Sequence, residues 1–148
     1  ALGDIYDWKS GRKLAGLLAE DRRSFRGTEE LMYADTRAVD NKFTGNTTIG
    51  VIITNAAFQK PSLCKIAGMA HDGYARSIRP VHTTADGDSI YAVSVGNADG
   101  SRVSADQDLV GALAAEVMSE AITVAVKSAR SAYGYPAWKD LIVLPASI

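Results

Sequence analysis

The sequence predicts an α/β protein, in which helices pack on layers of β-sheet. Three observations indicate this class. Strand-forming residues occupy Thr47–Thr54 and again Ser89–Val95, apolar residues at helical spacing lie between these runs, and a long Ala-rich helix is expected after them. The 148 residues suit one domain, or a portion of one, with a core of its own.

The first predicted element is a β-hairpin. Apolar and polar residues alternate over Leu2–Asp7, Lys9–Gly11 supplies turn residues, and Arg12–Gly16 can return as a second strand. The next stretch, Glu20–Phe43, is dense in charge and has no regular periodicity. We therefore expect it to be a solvated loop.

A strand, a helix and a second strand follow the loop. Thr47–Thr54 is almost continuously apolar, the pattern of a strand buried on both faces. The helix is expected to start near Pro61, where a missing N–H does no harm, and to end at Pro80. Ser89–Val95 alternates between two faces, and Asn97–Gly100 has the composition of a turn.

The last major element is a long helix rich in alanine. Asp106 or Ser104 could cap it, it is expected to run to about Ala132, and Gly134 could stop it. Because it is apolar on more than one face, we expect it to pack between layers or against another subunit.

Composition limits the classes of partner. The net charge is −1 and the charges are mixed, so there is no electrostatic footprint for nucleic acid or an anionic membrane. By the sequence alone, no apolar run reaches the roughly 18–20 residues of a membrane span. The one cysteine, Cys64, excludes an internal disulfide and is expected to be a buried structural thiol. A single cysteine does not indicate whether the protein functions in an oxidising or a reducing compartment. We expect a cytoplasmic location.

The dipeptide Asn46-Thr47 carries the strongest suggestion of chemistry. The Thr47 hydroxyl, at the start of a strand and behind flexible Gly45, could attack the carbonyl of Asn46, and ester hydrolysis would free Thr47 as a new N-terminus. The Thr47 oxygen would then be a nucleophile, with its own α-amine (reference pKa about 7.7–8) as base. Asn46 could instead cut the same bond through a succinimide. On its own, such a dipeptide is more often an ordinary turn-to-strand junction.

Two carboxylates flank Gly87. In a strand-like bend Asp86 and Asp88 share a face, so both could point at one site. A plain Asp-Gly turn is the alternative, and the segment lacks the further oxygen ligands of a calcium loop. His71 and His82 invite a triad with Asp72 or Asp86, but an N-terminal threonine needs no histidine base, and we expect His71 to pack or hydrogen-bond within its helix.

Several segments, in order and spacing, resemble the DmpA-type aminopeptidase family. This family of self-processing amidases includes β-peptidyl aminopeptidases, pantetheine hydrolases and nylon-oligomer hydrolases. The resemblance covers residues 1–18 and about 44–125, and its main matching pieces are Asn46–Val51, Met69–Gly73, Ala75-Arg76, Arg79–Thr83 and Asp86–Asp88.

The resemblance implies a fold, a mechanism and a set of partners. The fold would be the αββα four-layer sandwich shared with ornithine acetyltransferases. Residues 1–46 would end the larger subunit of a cleaved precursor, and residues 47–148 would form the smaller one. Thr47 would be the nucleophile, with Asp86 and Asp88 close to it. A Lys and an Asn of the site would lie upstream of this chain.

The implied activity is cleavage of short peptides or small amides, without cofactor or metal. The implied partners are the remaining N-terminal part of the precursor and further copies in a homo-oligomer, a tetramer or larger. Two alternatives stay open: an acyltransferase of the ornithine acetyltransferase type, and a fold relative that neither cleaves nor catalyses.

Overall fold

A computed structural model of the protein describes residues 1–34 and 47–141. Strands and helices are mixed along these two ranges, which confirms the predicted α/β class. The elements are β1 Asp4–Tyr6, β2 Lys13–Ala15, α1 Thr28–Ala34, β3 Ile49–Thr54, α2 Lys60–Ser77, β4 Ile78–Arg79, β5 Ser89–Ser94, α3 Gln107–Ser128 and a 3-10 helix Trp138–Asp140.

The predicted hairpin is confirmed and forms part of a three-stranded antiparallel sheet. β1 pairs with β2 through Ile5 opposite Ala15 and Tyr6 opposite Lys13, with an irregularity between the two pairs. On its other edge β1 pairs with β4, which follows α2 directly. The sequence pattern indicated only a helix end near Pro80, so β4 was missed.

The predicted loop Glu20–Phe43 is wrong for Thr28–Ala34, which forms the short helix α1. Glu29 and Glu30 lie in its first turn, where negative charge complements the helix dipole. Residues 35–43 of that stretch lie outside the described residues.

Asp4 ties the start of α1 to the hairpin. Its side chain is 1% exposed and accepts hydrogen bonds from the backbone N–H groups of Leu17 and Thr28, from the Thr28 hydroxyl and from Lys13 Nζ. Burial acts to raise the Asp4 pKa, but Lys13 and the Thr28 and Leu17 donors together hold that pKa below its usual value. The carboxylate therefore stays ionised inside the fold.

β3 and β5 form a separate parallel pair, from Ile49 opposite Ser89 to Thr54 opposite Ser94. One face of this pair is covered by helices. The prediction that β3 is buried on both faces is wrong for the described chain, because Ile49, Val51 and Ile53 are 69%, 53% and 69% exposed. An apolar run alone does not specify that both faces of a strand are covered.

Helices α2 and α3 cover that inner face and form the core with it. α2 begins at Lys60 with Pro61 in its first turn and ends at Ser77. At Gly73 the two helices approach so closely that a Cβ would lie 2.5 Å from the Ala115 carbonyl oxygen. The core cluster consists of Ile52, Ile66, Ala70, Tyr74, Ile78, Ala114 and Met118.

α3 differs from its prediction at one end. Asp106 is its N-cap, and the Asp106 carboxylate accepts from the N–H groups of Asp108 and Leu109, each at 2.9 Å. The helix ends at Ser128, before Ala132, and Gly134 lies in a later turn with φ +81°.

Two composition-based expectations also need correction. The helix Gln107–Ser128 is long and apolar enough to meet the length and composition test for a membrane span, although a core helix meets the same test. In the fold one side of α3 packs on α2, while Leu113 and Val117 are exposed on another. Cys64, predicted to be a buried thiol, is exposed on α2.

Candidate active site

Thr47 lies exposed, two residues before β3, where the chain meets the Asp86–Asp88 segment. The Thr48 carbonyl accepts from the Ser89 N–H at 2.9 Å, which joins the two segments just before the β3–β5 ladder. The Thr47 side chain lies directly against Gly87, since a Cβ at Gly87 would be 2.9 Å from Thr47 Oγ1. The predicted nucleophile and the predicted carboxylate segment are therefore neighbours.

The neighbouring hydroxyl of Thr48 has different surroundings. Thr48 Oγ1 accepts from the Ala1 nitrogen at 2.7 Å, whereas Thr47 Oγ1 faces Gly87. This separation matches the alternation of side chains along a strand. It makes Thr47 the more accessible of the two hydroxyls.

Asp88 is bound to the backbone next to Thr47. Its side chain is 2% exposed, and Oδ1 accepts from the Thr48 N–H at 2.9 Å and lies 3.1 Å from the Ala1 nitrogen. Burial acts to raise the Asp88 pKa, but the donors from Thr48 and Ala1 hold it below its usual value. The site thus contains a buried negative charge one residue from the candidate nucleophile.

Asp86 has a different set of partners. Oδ1 accepts from the Leu2 N–H at 2.7 Å, and Oδ2 accepts from both the N–H and the hydroxyl of Thr83 at 2.9 Å. The Asp86 N–H in turn donates to the Thr83 carbonyl. Asp86 therefore closes the Thr83–Asp86 turn and ties it to the N-terminal segment. Its part in catalysis stays a prediction.

The two histidines lie together beside Asp88. His82 Nδ1 is 3.4 Å from Asp88 Oδ2, and the His82 ring lies edge-on to that of His71, with centroids 4.9 Å apart. His71 also contacts Tyr74 edge-to-face at 5.4 Å, so it packs within its helix as predicted. Burial, together with the nearby charge of His82, lowers the His71 pKa. The carboxylate that His82 faces is Asp88, which differs from both partners considered for a triad.

Asn46, the predicted other half of the cleavage junction, lies outside the described residues. Within residues 1–34 and 47–141 there is no group of three or more His, Cys, Asp or Glu side chains able to hold a metal ion.

Comparison with known sequences decides the family. The model of Peptidase family S58 matches residues 9–138. The chain belongs to that family. Membership in family S58 confirms the resemblance to DmpA-type enzymes that the segments around Thr47 and Asp86–Asp88 indicate.

Curated relatives of this S58 chain carry hydrolase names. It is 38% identical over 106 residues to a Mycobacterium bovis protein named as an uncharacterized aminopeptidase (65% of this chain, 31% of that protein). A Mycobacterium leprae protein of the same description is 37% identical over 103 residues (63% and 28%). A 6-aminohexanoate-oligomer endohydrolase of Kocuria sp. is 38% identical over 91 residues (56% and 26%). The chain thus spans less than a third of the length of these relatives.

Two features of the S58 site were missed in the sequence. The contact of Gly87 with Thr47 was hidden because Asp-Gly-Asp is indistinguishable from a common turn. The contact of His82 with Asp88 was not predicted, since the triads considered from the sequence contained Asp72 or Asp86. A six-residue spacing outside regular structure carries no periodic signal, so only the fold brings this pair together.

Proposed function

We propose that this chain is the catalytic part of a self-cleaving amidohydrolase whose nucleophile is Thr47, acting on short peptides or small amides. The observation that carries the proposal is the position of Thr47, which is exposed just before β3 with its hydroxyl against Gly87, the residue that Asp86 and Asp88 flank in the chain. The hydrolase names of the relatives from Mycobacterium bovis and Kocuria sp. support the same class of activity.

The first step would be cleavage of the precursor. The Thr47 hydroxyl attacks the Asn46 carbonyl, the peptide nitrogen leaves as the α-amine of Thr47, and water hydrolyses the ester that links the two residues. The smaller subunit then begins at Thr47, and residues 1–46 end the larger one. Gly87 favours this step because the absence of a side chain leaves the Thr47 hydroxyl free to turn toward its target.

The mature enzyme would act through an acyl-enzyme. Thr47 Oγ attacks the substrate carbonyl while the α-amine takes the hydroxyl proton and passes it to the leaving amine. Water then releases the acyl group and restores the hydroxyl. The ionised Asp88 supports this cycle, because a negative charge one residue away favours the protonated form of the α-amine during transfer.

We further propose that the β3–β5 pair is one layer of an αββα sandwich. Its outer face carries exposed apolar side chains, which a second sheet from the remaining precursor would cover. These side chains are Ile49, Val51, Ile53, Tyr91 and Val93. The exposed side of α3, which includes Leu113 and Val117, would then serve contacts between copies in a homo-oligomer.

The test is the denatured intact mass of the full-length protein, with N-terminal sequencing of each species. A separate fragment beginning at Thr47 supports the proposal, and Thr47→Ala must abolish it while the matched Thr48→Ala does not. Cleavage that persists in Thr47→Ala indicates the succinimide route through Asn46 and contradicts a hydroxyl mechanism. Product analysis with amine acceptors added to the mature enzyme separates a hydrolase from an acyltransferase.

A further inference from the structure

Asp88 has one oxygen with a defined role and one without. Oδ1 accepts the Thr48 N–H, whereas Oδ2 is buried and has no hydrogen-bond partner among the described residues. A carboxylate that is 98% buried seldom leaves an oxygen unpaired, because the missing donor carries a full desolvation cost. The unpaired atom therefore points to a donor that the site must supply.

His82 is the side chain that faces this oxygen. Its Nδ1 lies 3.4 Å from Asp88 Oδ2, somewhat beyond the roughly 2.7–3.2 Å of a good hydrogen bond. Hydrogen bonds in unliganded active sites are often long until a reaction complex forms. Since an ionised carboxylate can only accept, the facing Nδ1 must carry a proton for the bond to form.

The backbone conformation of His82 and its packing on α2 together orient its ring. His82 has φ +57°, a left-handed conformation that residues other than glycine adopt at a cost and that recurs at functional sites. The ring lies against two aromatic side chains of α2, with centroids 4.9 Å from His71 and 6.3 Å from Tyr74. Tyr74 is fully buried, so it provides a fixed surface beside the imidazole.

We propose that His82 is a positioning residue that donates its Nδ1–H to Asp88 Oδ2 and thereby fixes the carboxylate that holds the Thr48 backbone beside the nucleophile. With both oxygens bound, the Asp88 carboxylate cannot rotate away from Thr48, and the start of β3 keeps one geometry. His82 touches neither scissile bond nor substrate in this role, and it acts through Asp88 alone.

Because this inference rests on the proposed cleavage before Thr47, the experiment begins with the wild-type full-length protein. The rate at which the Thr47 fragment appears is measured by intact mass in wild type, His82→Gly and His82→Asn. Glycine relieves the left-handed backbone but removes the donor. Asparagine also tolerates that backbone and places an amide N–H near the position of Nδ1. Thermal unfolding of each variant reports whether the fold is retained.

We expect His82→Gly to slow cleavage roughly tenfold to hundredfold, as the loss of a hydrogen bond to a charged group would. His82→Asn should stay within about threefold of wild type. In Asp88→Ala the histidine has lost its acceptor, so adding His82→Gly to that variant should slow cleavage no further. Equal rates in wild type and His82→Gly, equal losses in the Gly and Asn variants, or additive losses in the double variant would overturn the proposal.

A second measurement does not depend on cleavage. Nitrogen NMR of histidine-labelled full-length protein, assigned with His82→Asn, should place the His82 proton on Nδ1, and Asp88→Asn should change that signal. A proton on Nε2 alone overturns the inference. If the wild-type protein does not cleave while the Nδ1–H signal is present, the proposed function fails but the His82–Asp88 contact stands.

Discussion

Thr47 Oγ1 and the Cα of Gly87 lie so close that no side chain fits between them, because a Cβ at Gly87 would be 2.9 Å from that oxygen. The contact joins two segments 40 residues apart in the chain, at the entrance to the β3–β5 ladder. Its consequence is that the hydroxyl of the candidate nucleophile lies against the backbone of Gly87.

Replacing Gly87 tests that contact. We expect Gly87→Ala to slow appearance of the Thr47 fragment at least about tenfold, because the new methyl group displaces the hydroxyl from its position. The matched control is Gly68→Ala, on α2, where a Cβ meets no atom within 4 Å. That control should cleave like wild type and gain stability of about 0.5–1 kcal/mol from helix propensity. A Gly87→Ala protein that cleaves at the wild-type rate would show that the contact is irrelevant to chemistry.

The sequence offered Asp106 and Ser104 as N-cap of α3, and in the structure the cap is Asp106. Asp106→Ala should lower the free energy of unfolding by about 1 kcal/mol, because the N–H groups of Asp108 and Leu109 lose their acceptor. Ser104→Ala should change it little, and Asp106→Asn should retain most of the cap. Urea denaturation of the full-length variants measures all three. A loss in Ser104→Ala equal to that in Asp106→Ala would contradict the assignment.

Asp4 should make stability depend on pH in the acid range. Its pKa in the folded protein is lower than the ordinary value of 3.8, so the unfolded chain binds a proton first as the pH falls. The contribution of Asp4 is therefore complete above about pH 4 and is lost as the pH falls through the lower folded pKa. Asp4→Asn should flatten the stability curve below pH 4, as measured by denaturant titration at several pH values.

The same variant has a second expected effect at neutral pH. Asp4→Asn leaves the partly buried Lys13 ammonium without its carboxylate, so we expect a loss of about 3 kcal/mol. Asp21→Asn is the control for this loss at neutral pH, because that carboxylate is exposed and its hydrogen-bond partners among the described residues, Arg23 and Ser24, lie in its own turn. A pH profile identical in wild type and Asp4→Asn would show that other groups govern acid unfolding.

Periodicity predicted the positions of the helices and strands better than their burial and their contacts. The hairpin, α2, β5 and the start of α3 could be located because turn residues, proline and apolar spacing act locally. α1 was missed because its charged first turn looks like solvated loop, although Asp4, far along the chain, accepts from its first residue.

Some residues of the candidate site could be predicted from the sequence, and others could not. Thr47, Asp86 and Asp88 were predicted because the segments that contain them resemble the DmpA-type family, whereas each local pattern alone also fits an ordinary turn. The approach of His82 to Asp88 could not be predicted in this way, because the two residues lie outside regular structure and His82 has a positive φ. Predicted burial of β3 was wrong because an apolar run alone does not specify whether one face or both faces of the strand are covered.

The exposed apolar face of β3 leads to a final prediction. If a second sheet covers the outer face of β3 in the full-length protein, Val51 is buried there, and Val51→Asp places a charge in an apolar interface. We expect a loss of several kcal/mol in unfolding free energy, or failure of the two parts to associate. Val103→Asp is the matched control, because Val103 is 44% exposed, close to the 53% of Val51, but lies outside that face. Equal stability of the two variants would mean that solvent, not a second sheet, meets β3.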